Sequence, residues 1–198
     1  NYNILNELAN SSYKQEGNGL TVNGNLRFNF TDWLNANAIV SYSTSNTTMQ
    51  TYWGENTYHA ATLRGTEYGE PAETGETSGS VMPFGGELDY NETHNNSYTI
   101  RLQLNANKSF GKDNQHNIFA SAGYEMTSTK TKGYQNLSRG YYADRGMSFV
   151  NNIDLDNYPA YKTWLSNNTP RMTNDLGNTI SGYVSLSYSY KGWFTLNG

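Results

Sequence analysis

Between Leu20 and Ser43 the chain alternates with a period of two, and that rhythm constrains the rest. Leu20, Val22, Gly24, Leu26, Phe28 and Phe30 are apolar or small, while Thr21, Asn23, Asn25, Arg27, Asn29 and Thr31 are polar. After Asp32 come Trp33, then Leu34, Ala36, Ala38, Val40 and Tyr42 set against Asn35, Asn37, Ser41 and Ser43; only Ile39 breaks the pattern. Successive side chains of a strand point to opposite faces, so period two predicts strand. A turn of about two residues at Thr31-Asp32 makes the two strands antiparallel neighbours. Each runs about eleven residues, roughly 36 Å at ~3.3 Å per residue, against the ~5–6 residues usual in soluble proteins. Tilted by ~40°, such a strand covers the ~25 Å apolar band of an outer-membrane barrel. The apolar face then meets lipid and the amide-rich face a watery lumen. A long hairpin of a soluble sandwich, with one face on a core, fits this hairpin equally well.

The rhythm returns twice. Tyr98, Ile100, Leu102, Leu104, Ala106 and Phe110 oppose Thr99, Arg101, Gln103, Asn105, Asn107 and Ser109. Lys108 falls on the apolar face near the strand end, where its stem can snorkel to an interface. A tight connection, Gly111 to Gln115, leads to Ile118, Ala120, Ala122, Tyr124 and Met126 against Asn117, Ser121, Gly123 and Glu125, with Phe119 the exception. The third hairpin sets Ile180, Gly182, Val184, Leu186, Tyr188 and Tyr190 against Thr179, Ser181, Ser185, Ser187 and Ser189, and turns at Lys191-Gly192. The organisation expected is hairpins at 20–43, 98–127 and 179–198, with long loops at 44–97 and 128–178. Short helices are predicted at Tyr58 to Arg64, stopped by Gly65, and from Asn157-Tyr158-Pro159 through Leu165, with Asn157 as cap and Pro159 in the first turn. Short turns alternating with long loops is the asymmetry of outer-membrane barrels. Phe30, Trp33, Phe110, Tyr190 and Trp193 collect at the short turns and Tyr42, Tyr98 and Tyr124 near the other ends, like two interfacial girdles. The fold class predicted is all-β: an antiparallel transmembrane barrel segment, about six strands of a larger barrel, since single-chain barrels begin at about eight strands.

Composition agrees. Mean hydropathy is -0.78 with only 15% charged residues, because the polarity comes from Asn, Ser, Thr and Gly. Disordered chains share low hydropathy but are poor in aromatics, and this chain holds 17 tyrosines. No run of ~18 apolar residues forms a transmembrane helix, and no signal-peptide pattern is read at the start. With no cysteine, disulfides and thiolate metal sites are out of reach. A net charge of -4 without basic clusters argues against nucleic acid.

The phrase Phe110-Gly111-Lys112, His116-Asn117-Ile118, Gly123-Tyr124-Glu125 resembles a recurrent phrase of the SusC/RagA-like TonB-dependent outer-membrane transporters. There a strand ends in F-G-K, a turn carries H-N and the next strand reaches G-Y-E. Tyr188 to Gly198 resembles the family's later Y-K-G-aromatic hairpin, and Asn3-Ile4-Leu5 before Leu20–Phe30 resembles its N-P-L loop and strand, with Ile4 in place of the proline. The resemblance covers most of the chain. It implies a 22-stranded barrel filled by an N-terminal plug that this sequence does not contain, in the bacterial outer membrane. It implies as partners a SusD-like surface lipoprotein, the TonB complex reached through a missing N-terminal part, and outer-membrane lipid. Its cargo class is oligosaccharide or peptide.

No catalytic residue is expected. His59, His94 and His116 lack any metal-motif spacing to acids, and Glu73 and Glu76 read as solvated surface rather than an acid–base pair. Asn151, Asn152, Asp154 and Asp156 offer hard oxygens, so Ca²⁺ at Asp154/Asp156 is weighed against an ordinary polar turn, which the missing EF-hand glycine and terminal Glu favour. The binding candidates are loop aromatics: Tyr52, Trp53, Tyr58, Tyr141, Tyr142, Tyr161 and Trp164, whose rings can stack on sugars or peptide side chains, or else pack the loops together. Arg27, Arg101 and Gln103 lie on the polar face as candidate lumen-lining residues. The alternative function is a soluble or surface β-rich glycan-binding or adhesin module.

Overall fold

The structure, a computed structural model, describes residues 2–69 and 79–198. The described chain is all-β, with one open antiparallel sheet and three short helices. The strands are β1 (Ser11–Asn29), β2 (Leu34–Trp53), β3 (Gly86–Phe110), β4 (His116–Tyr142), the two-residue β5 (Ser148–Phe149), β6 (Arg171–Tyr190) and β7 (Phe194–Asn197). Their order is β1-β2-β3-β4-β6-β7, with β5 pairing to β4 off this path. Helices α1 (Ile4–Asn10), α2 (Tyr58–Arg64) and α3 (Pro159–Asn167) lie between them in sequence.

The strands run further than the alternation predicts: β2 continues to Trp53, β3 begins at Gly86, β4 reaches Tyr142 and β6 begins at Arg171. Alternation marks a strand only where its two faces meet different media. Beyond Ser43 and Thr127 both faces are polar, so period two vanishes although the ladder continues. Helix α2 has the expected bounds, capped by Thr57 and closed by Gly65 at φ +78. Helix α3 starts at Pro159, one residue later than an Asn157 cap implies, with Tyr158 at the cap position. The Asn157 amide instead donates to Asp154 Oδ2 at 3.1 Å, within a preceding 3₁₀ turn, Leu155–Asn157.

The short turns follow their residue types. Thr31 Oγ1 accepts from Leu34 N at 3.0 Å, closing the first turn. The second uses Gly111 at φ +89 with Asp113 and Asn114 also at positive φ, which Asp and Asn tolerate better than other side chains. The third has Lys191 and Gly192 both at positive φ, the backbone whose twist suits a two-residue hairpin.

Two compact units divide the chain. The first comprises Asn1–Asn18, Asn46–His94 and Lys132–Thr173; its core holds Ala60, Ala61, Met82 and Tyr161 with buried Thr57, Arg64, Ser80 and Glu87. The second comprises Gly19–Ser45, Asn95–Thr131 and Asn174–Gly198. It is one layer of sheet. Of its described residues only Ser121 is buried, and its large apolar side chains stand open: Leu26 is 60% exposed, Leu102 51% and Val184 78%. A soluble sandwich would cover that face with a second sheet ~10 Å away.

Candidate functional site

In the second unit the odd-numbered side chains hydrogen-bond to one another across the strands. Thr21 meets Ser43 at 3.0 Å and Ser41 donates to Asn23 at 2.6 Å. Asn105 donates to Asn35 at 3.2 Å, and Thr99 and Thr127 pair at 3.1 Å. The three lumen-lining candidates share this face. Gln103 donates to Asn105 at 2.7 Å and to Ser121 at 3.1 Å; Arg101 Nε donates to Glu125 at 2.5 Å; Arg27 is exposed. The Tyr183 ring covers Gly123, where an added Cβ would lie 2.3 Å from it, so a glycine is needed under the aromatic. The result is a wall rich in amides and hydroxyls, in part bonded to one another and with Arg101 paired to Glu125, suited to water or to a polar body.

The even-numbered face is apolar across its middle and amphipathic at the short-turn end. There His116 stacks on Phe110 at 5.0 Å, lies 5.0 Å from the Tyr190 ring, and places Nδ1 2.7 Å from the Tyr188 hydroxyl. The Lys108 ammonium sits 4.9 Å from the Trp33 ring centroid. At the other end Tyr42 and Tyr98 meet at 4.9 Å. Bands of this kind, apolar between aromatic rims, suit a bilayer with its two interfaces.

The first unit carries the seven aromatics expected in loops, but Tyr52 and Trp53 end β2, Tyr141 and Tyr142 end β4, Tyr58 opens α2, and Tyr161 and Trp164 lie in α3, because the strands run on past the alternating stretch; the structure divides them by exposure. Tyr58 is 55% exposed and joins Tyr2 and Tyr68 in an open aromatic cluster, with centroids 6.1 Å from each. Tyr52 and Tyr141 meet edge to face at 5.4 Å, and Tyr142 carries the Arg145 guanidinium 4.2 Å above its ring; all three tyrosines are half-buried. Tyr161 is 5% exposed and stacks on half-buried Trp164 at 6.0 Å, and burial pushes the Tyr161 hydroxyl's pKa up. Trp53 packs 4.6 Å from the His59 ring.

Beneath these rings lies an ionic knot that sequence reasoning missed. Buried Glu87 accepts from Arg139 Nε at 2.6 Å and lies 2.8 Å from His59 Nε2. Arg139 also donates to the Val81 carbonyl at 3.0 Å and sits 4.1 Å over the Trp164 ring. One carboxylate thereby ties α2, β3, β4 and α3 together. Its partners stand 28 and 52 residues away in sequence, so no local pattern reveals it. Arg64 at the end of α2 is buried too, donating to the Glu55 carbonyl, and burial pushes its pKa down.

The carboxylates considered for Ca²⁺ are engaged. Asp154 accepts from Asp156 N at 3.2 Å and from Asn157, while Asp156 lies 2.8 Å from the Lys162 ammonium, whose hydrogen bond and charge hold its carboxyl below the usual range. Among the described residues no group of three or more His, Asp or Glu side chains is arranged to hold a metal ion. Glu73 and Glu76 lie outside the described residues.

No family model matches the chain, and no curated protein matches it. Solved structures do. One reported as the RagAB peptide importer in the "closed-closed" state superposes with a TM-score of 0.68 at 14% identity, covering 96% of this chain and 17% of that one. Another, of the RagAB peptide transporter, gives 0.65 at 13% identity, covering 96% and 18%. The chain thus spans under a fifth of the length of these transporter chains, and at such identity the likeness carries the fold: a barrel-like sheet segment.

Proposed function

We propose that this chain is barrel wall and external loops of an outer-membrane nutrient importer of the SusC type, driven through TonB and paired with a SusD-like surface lipoprotein. The observation that carries the reading is the single-layer sheet of the second unit. Among the described residues no protein layer lies over its apolar face, while polar side chains of its opposite face bond to one another across the strands. A bilayer on one side and an aqueous or plugged lumen on the other satisfy both faces at once. The fold likeness to a peptide importer supports the same reading, with oligosaccharide or peptide as cargo.

In this reading the wall binds nothing tightly. Arg101 neutralises Glu125 and several of the amides bond to each other, so much of the wall's polar capacity is already engaged. Capture belongs to the first unit, where exposed Tyr58, at the start of α2 beside Tyr2 and Tyr68, offers an open ring, while Tyr52, Tyr141 and Tyr142 at the ends of β2 and β4 are engaged with one another and with Arg145. No bond is made or broken. Fractionation of cells expressing the full-length protein tests the proposal: it is expected in the outer membrane and extractable only with detergent. Recovery in the detergent-free soluble pool would reject it in favour of a soluble glycan-binding module.

A further inference from the structure

The outward face of the second unit is not smooth. A hollow of about 710 Å³ opens on it, lined among others by the small residues Ala36, Ala122 and Gly182 and the larger Phe28, Leu104 and Val184. That volume lies within the ~300–1,000 Å³ typical of small-molecule sites. Its lining is mostly apolar, with Asn37 and Gln103 the polar exceptions, which suits a hydrocarbon occupant. Along the same strands, at the short-turn end, the face changes character. Lys108 rests on Trp33, and Lys191 reaches over Tyr190 at 5.5 Å. His116, held by Phe110, Tyr190 and the Tyr188 hydroxyl, has Nε2 without a partner among the described residues. Gly111 leaves room for that ring: a Cβ there would stand 2.7 Å from His116 Cδ2. The even-numbered strand positions of this face carry no carboxylate; Asp32 and Asp113 sit in the turns.

We propose that hollow and rim together seat one glycerophospholipid, its phosphate between Lys108, His116 and Lys191 and one acyl chain in the hollow. The spacing fits. Leu104 and Ala122 lie four and six residues from Lys108 and His116, about 13 and 20 Å along the strands and less once strands tilt by ~40°. One leaflet of hydrocarbon is ~15 Å deep, half of the ~30 Å core. Two lysines and an imidazole with no outward carboxylate select an anionic headgroup, and aromatic rings hold each cation at the depth of the phosphates. A mostly apolar hollow with a cationic rim about 13–20 Å further along the same strands matches the two ends of a lipid.

This inference rests on the membrane reading, and the test separates their failures. Full-length protein is purified in detergent, loaded into nanodiscs of phosphatidylglycerol and phosphatidylethanolamine, released, and weighed by native mass spectrometry. The expected result is one retained phosphatidylglycerol per barrel. Lys108→Gln with Lys191→Gln should weaken retention about thirtyfold, at about fivefold per lysine. Ala122→Phe should displace the lipid while the barrel keeps its heat-modifiable electrophoretic mobility. Equal retention by wild type and the lysine variant overturns the seat. So does an Ala122→Phe variant that keeps its lipid but loses a second protein copy, which would make the hollow a protein contact. Protein that never enters the nanodisc defeats the membrane reading itself.

Discussion

Leu102 and Gln103 are adjacent in β3 and, on this account, face different solvents. Leu102 is 51% exposed on the apolar face, flanked along its strand by Ile100 and Leu104 at 39% and 45%. Gln103 turns the other way and bonds to Asn105 and Ser121. Leu102→Arg places a guanidinium near the bilayer midplane, which costs about 2–4 kcal/mol on outer-membrane barrels because water or headgroups must be drawn inward. In both of its hydrogen bonds Gln103 is the donor, a role the guanidinium of Gln103→Arg can take over toward the same oxygens, so the net cost is at most that of about one neutral bond, about 0.5–1.5 kcal/mol. A soluble core would also reject Leu102→Arg, so Leu102→Trp is the deciding variant. Half of the Leu102 surface meets no protein atom, and a lipid-facing position accepts the larger ring, whereas a close-packed core resists it by about 1–3 kcal/mol. The assay is urea unfolding of full-length protein in lipid vesicles, followed by tryptophan fluorescence. A strongly destabilised Leu102→Trp beside a near-neutral Gln103→Arg would refute the reasoning.

Glu87→Gln removes the charge that holds Arg139 and His59; breaking a buried pair from one side costs about 3–5 kcal/mol, and hydrogen exchange should speed at 86–90 and 139–142 without change at 99–105. The Asp156 carboxyl, depressed by Lys162, adds stability to the start of α3 at neutral pH, and that contribution is lost as pH falls through its lowered pKa; Lys162→Met should return the titration to the usual carboxylate range by NMR. Gly111→Ala combines a positive φ with a Cβ 2.7 Å from His116 Cδ2 and should lower stability by about 1–2 kcal/mol, whereas Gly192→Ala, with open space around it, carries the φ strain alone.

The parity of the hairpins was readable because a face that meets hydrocarbon cannot hide its composition. Leu26, Leu102 and Val184 declare it, and the ladder from Thr21–Ser43 to Thr99–Thr127 confirms which side each residue takes. The turns at Thr31, Gly111 and Lys191-Gly192 were readable from local backbone chemistry. The strand extensions past Ser43 and Thr127 were not, because polar residues on both faces leave no period. Nor was the Glu87–Arg139–His59 knot, which depends on residues far apart in sequence meeting under two helices. The loop aromatics were easy to name and hard to sort. Nothing local distinguishes Tyr58, which is open, from Tyr161, which is packed against Trp164.

The most direct measurement is oxygen accessibility of nitroxide labels placed singly from residue 98 to 106 of β3, in the full-length protein reconstituted in lipid. The account predicts high oxygen accessibility at 98, 100, 102, 104 and 106, and at 99, 101, 103 and 105 a low value with higher access to a water-soluble nickel reagent. Accessibility that fails to alternate, or alternates with the opposite parity, would contradict the claim that this sheet stands between lipid and lumen.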